Sequence, residues 1–263
     1  MLRDITIGQY YPVKSCIHSL DPRTKIILVF MYIVAIFLID TFVGYGVIVG
    51  VLAVVIKLSK VPLKFILKGL KSIVFILAFT MALNMFLVNG ETVIFRFWIF
   101  TLSVEGIILA VKMGIRLILL IVGSSLLTLT TSPIRLTDGI ESLLNPLKVI
   151  KVPAHEIAMM MSIALRFIPI LLEETDKIMK AQTARGADFE TGSIVKRAKA
   201  MVPILIPLFV SAFMRAEDLA MAMEARCYRG GEGRTKLNNL KFHQADFIAL
   251  ALGVIFIGLC VYT

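Results

Sequence analysis

Charge is scarce in this 263-residue chain: Asp, Glu, Lys and Arg make up 17% of it, and the mean hydropathy is +0.89. Soluble domains carry about a quarter charged residues, so an ordinary soluble globular fold is excluded. Cysteine is scarcer still. Cys16, Cys227 and Cys260 lie far apart, which leaves no disulfide framework and no C-x-x-C metal pair. His18, His155 and His243 are scattered, and His155-Glu156 lacks the second histidine of a zinc-protease helix, so no metal site is expected. The G-x-x-x-x-G-K-[ST] loop is also missing. Gly230-Gly231-Glu232-Gly233-Arg234 has neither the lysine nor the preceding strand of a phosphate cradle, so the chain does not bind ATP by that device. No nucleophile stands beside a base to mark a catalytic centre, and nothing requires nucleic acid. Met1–Lys25 has no apolar core followed by a small-residue cleavage site, so it does not read as a cleaved signal peptide.

What the chain has is apolar length, with 58% hydrophobic residues. A membrane span needs about 20 mostly apolar residues, because backbone groups in hydrocarbon must be satisfied within the segment. The expectation is an all-α integral membrane protein with five spans. Ile26–Ile56 is too long for one helix and carries Asp40, Thr41, Gly44 and Gly46 near its middle, so it reads as two helices joined near Asp40. The third span is placed at Ser72–Val88, the fourth at Glu105–Leu129 and the fifth at Phe247–Tyr262. Basic residues set the orientation, since they accumulate on cytoplasmic flanks. Arg3, Lys14, Arg23 and Lys25 precede the first span, and Lys57, Lys60, Lys64, Lys68 and Lys71 fill the link between the second and third. The opposite links hold Asp40, Glu91, Glu105 and the single Arg96, and the aromatic residues Phe95, Phe97, Trp98 and Phe100 suit an outer headgroup belt. The amino terminus is therefore placed in the cytoplasm and the carboxyl terminus outside. Residues 1–131 form the amino-terminal segment and spans one to four, 132–244 a cytoplasmic module, and 245–263 the last span.

Sixteen of the 28 Lys and Arg residues fall between Thr131 and Gln244. Three amphipathic helices are predicted here, in stretches read as too short or too charged to cross a bilayer. The first runs from Pro133 to Leu144, before Asn145-Pro146. The second runs from Pro153 to Arg185, bent at Pro169, with Ile157, Met160, Met161, Ala164, Leu165, Ile168, Leu171 and Leu172 at helical spacing. Glu173 with Lys177 and Asp176 with Lys180 are spaced as supporting pairs on its polar face. The third follows the cap Thr191-Gly192-Ser193 and reaches Arg226. Its uncharged run Met201–Met214 is short for a span and is placed against other helices or at the membrane interface; a crossing there would separate Arg226 from Arg185.

The candidate site is a pair of tripeptides, Ala184-Arg185-Gly186 and Ala225-Arg226-Cys227, each at the end of a predicted helix. A cation is favoured there by the helix dipole, and Gly186 and Gly230 are the candidate terminators. Alanine leaves the backbone approachable, and the guanidinium offers a rigid fork of donors to a carboxylate in a partner's groove. Lys112 and Arg116 lie four apart on the fourth span. For them, snorkelling, a backbone carbonyl or contact with a partner subunit is a better account than a transport path.

Beyond these tripeptides, Leu20-Asp21-Pro22-Arg23-Thr24-Lys25, Thr137-Asp138-Gly139-Ile140-Glu141, Pro153-Ala154-His155-Glu156-Ile157-Ala158, Arg166-Phe167-Ile168-Pro169 and Glu224-Ala225-Arg226 leading into Tyr228-Arg229-Gly230 carry a specific resemblance. The chain resembles the transmembrane T component of energy-coupling factor (ECF) transporters of the ABC class. That resemblance implies a multi-pass subunit of the bacterial cell membrane that is not an enzyme. It also implies two arginine-ended coupling helices inserted into two ABC-type ATPases (EcfA and EcfA′), and a membrane-embedded substrate-binding S subunit for a vitamin or micronutrient. ATP and Mg2+ would be used by the partners, with no cofactor in this chain. Cys227 stands where members of the family often carry a small residue such as Gly or Ser; cysteine is small enough that docking should survive, with a less sharply turned helix end. The alternatives are a T component dedicated to biotin or to cobalt or nickel ions and, from other classes, a polytopic membrane enzyme or a scaffold.

Overall fold

The computed structural model describes residues 10–71, 73–87, 92–97, 100–189, 193–231 and 240–262. It is an all-α membrane protein with one short hairpin, and it divides into two compact units, Gly8–Gly139 with Asn239–Thr263, and Ile140–Asn238.

The first unit opens with α1 (Cys16–Ser19), α2 (Pro22–Leu38) and α3 (Phe42–Ser59). Asp21 caps α2, whose first position is proline, and the Thr41 hydroxyl caps α3 by accepting from the Gly44 N–H. The expected break near Asp40 is thus where a capping side chain starts a new helix. Next come α4 (Leu63–Lys71), α5 (Val74–Leu87), the antiparallel strands β1 (Val93–Phe97) and β2 (Phe100–Ser103), α6 (Val104–Thr130) and, at the chain's end, α10 (Gln244–Tyr262). Ala35, Ile36, Ile39, Ile48, Leu119, Leu126, Leu129 and Cys260 form the core. At Gly123 a side-chain carbon would run into the Tyr32 ring, whose hydroxyl donates to the Leu119 carbonyl at 2.8 Å.

Buried polar groups join this unit's two chain segments. The Asp246 carboxylate, fully buried, accepts from the Asp21 N–H and the His243 N–H, each at 2.8 Å. Asp21 in turn receives the Arg23 guanidinium at 3.0 Å, which lies over the Phe242 ring. Burial acts to raise the Asp21 pKa, and the Arg23 hydrogen bonds outweigh it, holding the carboxyl below its ordinary value. Lys25 is also buried, donating to the carbonyls of Thr130 at 3.0 Å and His18 at 3.4 Å. Arg23 and Lys25 therefore brace the fold as well as marking a flank.

The second unit carries α8 (Ala154–Ala184) and α9 (Ile194–Ala225); the division between the units falls inside α7 (Pro133–Leu144), which leads into a 3-10 turn at Asn145–Ile150. Ser193 caps α9. Both long helices continue through their internal prolines, Pro169 in α8 and Pro203 and Pro207 in α9.

Several expectations change. By length and composition α3, α6, α8, α9 and α10 are all long and apolar enough to span a membrane. The view that 133–229 holds only stretches too short or too charged to cross is corrected for α8 and α9, each of which contains an 18-residue window apolar enough to cross that carries no more than two charged residues. The expected third span is the 14-residue α5, which reaches spanning length only together with α4. The basic link before it is a helix, because Ile66 and Leu70 alternate with Lys64, Lys68 and Lys71 at helical spacing. The Glu173–Lys177 and Asp176–Lys180 pairs do not form; Glu174 instead pairs with Arg215 of α9 at 3.3 Å. Trp98, Glu91, Arg3, Thr191 and Gly192 lie outside the described residues.

Two outcomes follow for stability. Asp246→Ala, which strands the buried Asp21 N–H and the partly buried His243 N–H, lowers unfolding free energy by about 2–4 kcal/mol, and Asp246→Asn by less, in thermal melts in detergent. Burial pushes the His18 pKa down, with the Lys25 charge adding to it, against the hydrogen bond to the Tyr11 carbonyl. A depressed folded pKa means that this contribution is complete above about pH 6.5 and is lost as pH falls below it. Melts between pH 8 and 5 check the slope, which His18→Gln flattens.

Candidate functional site

Both tripeptides end their helices by the same backbone device. After α8, Arg185 is the last residue near helical geometry, Gly186 turns left-handed at φ +91°, and the Gly186 and Ala187 amides donate to the Thr183 and Gln182 carbonyls, both at 3.0 Å. After α9, Arg226 holds the same place, Cys227 turns left-handed at φ +54°, and the Cys227 and Tyr228 amides donate to the Glu224 and Met223 carbonyls at 2.8 and 3.0 Å. This pair of bonds is the Schellman closure. The terminator of α9 is therefore Cys227 and not Gly230, which turns the chain three residues later at φ +85°. The expected blunter end is corrected too: a cysteine adopts the left-handed turn and closes the same bonds.

Ala184, Arg185, Gly186, Ala225, Arg226 and Cys227 are all exposed. Among the described residues neither guanidinium has a hydrogen-bond or ion-pair partner. Other arginines are engaged: Arg23 with Asp21, and Arg215 with Glu174. Arg116 donates to the Ile39 carbonyl at 2.9 Å and pairs with Asp40 at 3.1 Å, so it closes the carboxyl end of α2 inside its own unit. Lys112 lies 5.5 Å from the Phe42 ring centre, without a hydrogen-bond partner among the described residues.

The tips are not brought together. Glu174 meets Arg215, while Met159, near the start of α8, meets Tyr228, just beyond α9, so the helices pack antiparallel. Ile163, Phe167 and Leu171 face the small Ala212, Ala216 and Ala220 across an apolar cleft of about 340 Å3. Arg226 therefore lies beside the start of α8 and Arg185 at its end, roughly 40 Å away along the helix at 1.5 Å per residue. One partner groove cannot hold both.

The anchoring of Tyr228 on α8 escaped the sequence reading. His155, Tyr228 and Gly230 stood in the motifs, but only a packed antiparallel pair brings residues 73 positions apart into contact.

The molecule is thus a membrane protein of several spans whose second unit offers two separate cationic tips. Residues 13–237 match the family described as cobalt transport protein, CbiQ. Proteins named energy-coupling factor transporter transmembrane protein EcfT are similar over nearly their whole length. That of Ruminiclostridium cellulolyticum is 57% identical over 97% of this chain and 96% of its own, and that of Acidaminococcus fermentans 56% over 97% and 96%. The Bacillus subtilis protein is 49% identical over 94% and 93%. The chain belongs to the CbiQ family, and it is a multi-pass transport subunit rather than an enzyme.

A left-handed turn costs a residue with a side chain about 1 kcal/mol or more relative to glycine. Cys227→Gly should slow hydrogen exchange at the 227 and 228 amides about fivefold, and Gly186→Ala should speed it at 186 and 187 by a similar factor.

Proposed function

We propose that this chain is the coupling subunit of an ECF-type importer, in which Arg185 and Arg226 dock into two separate cytosolic ABC-type ATPases. The feature that most supports this is the pair of identically closed, unpartnered arginine ends held far apart at opposite ends of one antiparallel helix pair. A guanidinium aimed by its own backbone meets a partner carboxylate with little ordering cost. ATP and Mg2+ are used by those partners. Motion of the ATPases on ATP binding shifts the tips, and α8 and α9 carry it to a membrane-embedded S subunit that holds a vitamin or micronutrient.

The cytoplasmic placement of residues 132–244 belongs to this proposal, with the amino terminus inside and the carboxyl terminus outside. Although α8 and α9 are long, Arg166 interrupts the apolar part of the first, and the uncharged run of the second is Ala200–Met214. These uninterrupted runs are shorter than about 20 residues, so both helices are laid along the membrane interface in this proposal, although their whole length and composition would also allow a crossing. Their exposed Met160, Leu205, Ile206, Phe209 and Phe213 suit lipid or the S subunit.

The test is co-purification of the ATPases with tagged chain from native membranes, together with uptake by reconstituted complex. Arg185→Glu with Arg226→Glu should abolish both while membrane insertion persists, and each Arg→Ala should weaken ATPase retention about 30-fold, the effect of a hot-spot side chain. Uptake that survives the double reversal rejects the coupling role. The S subunits recovered alongside distinguish a shared coupling subunit from one dedicated to a single substrate.

A further inference from the structure

We propose that Tyr228, His155 and Glu141 form a latch that fixes the direction of the Arg226 tip, making them positioning residues for docking; this rests on the docking role of Arg226 given above. Tyr228 is the residue whose amide completes the closure of α9. Its ring reaches back across the unit, with Oη 2.9 Å from Met159 Sδ and 3.4 Å from His155 Nε2. On the other side of the imidazole, Nδ1 is 3.0 Å from Glu141 Oε1 of α7, and both of these side chains are largely buried, at 19% and 15% exposure. The chain of contacts closes in either ring state. With Nδ1–H donating to Glu141, Nε2 either accepts from the tyrosine hydroxyl or, when protonated, donates to it while the hydroxyl donates to sulfur.

The same imidazole holds the loop a second time. A side-chain carbon at Gly231 would sit 2.6 Å from His155 Cδ2 and 2.7 Å from Cγ, so only glycine lets the backbone lie on the ring. Gly230, at φ +85°, turns the chain toward it. Arg226 and Cys227 are therefore strung between a helix end and a loop gripped at residues 228 and 231, which assigns a task to Gly230, Gly231 and His155. After Arg185 the position equivalent to Tyr228 is Ala187, which has no side-chain group to reach back. The tyrosine tie to α7 and α8 is therefore particular to the Arg226 tip.

The experiment uses the full chain with its ATPases in nanodiscs, reading hydrogen exchange across residues 226–231 and the dissociation rate of the ATPases. Tyr228→Phe removes one hydroxyl without changing shape. Exchange at residues 227–231 should rise about fivefold, the worth of one hydrogen bond, with the interior of α9 unchanged, and ATPase dissociation should quicken by a similar factor. Glu141→Ala should do the same, whereas Glu141→Gln, whose amide oxygen still accepts from Nδ1–H, should stay near the parent. Unchanged exchange in Tyr228→Phe overturns the latch, even where Arg226→Glu abolishes ATPase retention. Raised exchange with undiminished retention overturns its part in docking. If Arg226→Glu leaves retention intact, the docking role fails instead, and the exchange data alone decide whether the latch exists.

Discussion

A helix that stops in the open must find donors for its last carbonyls, and here that obligation decides where two arginines point. The left-handed residue after each arginine folds the chain back so that two amides reach the orphan carbonyls. The arginine is left at the crest of the turn with its side chain outside the hydrogen-bonding scheme. The closure itself uses backbone amides alone, so the guanidinium stays available, and at Arg226 the Tyr228 latch adds to it. Arg23, Arg116 and Arg215 show the contrast, since each is bound to an acid of its own unit. Identical closure with Gly186 and with Cys227 shows that the turn, and not the glycine, is what the arrangement requires.

The first unit spends its charges differently. Asp21, Arg23, Lys25 and Asp246 sit in a shell of hydrogen bonds that joins the entrances of α2 and α10 and the exit of α6. Buried charge is tolerated there because each group is answered: the aspartates by amides and a guanidinium, the lysine by carbonyls that end a helix. Charge that a topological reading assigns to a flank also works as the clasp between helix ends.

Features that depend on neighbouring residues were legible in the sequence. The break at Asp40, the cap ending at Ser193, the Pro133–Leu144 helix and the exit points at Arg185 and Arg226 all follow from local capping and turn chemistry. Features that depend on distant residues were not. Glu174 has a lysine-rich neighbourhood on its own helix, yet its partner is Arg215, because packing against α9 brings a better-placed cation. The α4 helix was hidden because its lysines were read for orientation, and Phe65, Ile66, Leu67 and Leu70 between them make a run too short to register as a span. Nothing local in Tyr228 announces that it binds α8. Cys227 misled for a different reason, since cysteine rarely takes a left-handed turn and its neighbour Gly230 offered a more familiar stop.

The bond from the Asp21 amide to the Asp246 carboxylate spans 225 positions. A ribosome adding about 5–20 residues per second takes roughly 10–45 s to bring the acceptor into being after the donor has emerged. Throughout that interval the entrance of α2 stands without the carboxylate of α10. The unit is therefore closed only once α10 has been made, and a nascent product cut short before Asp246 is left open at that seam.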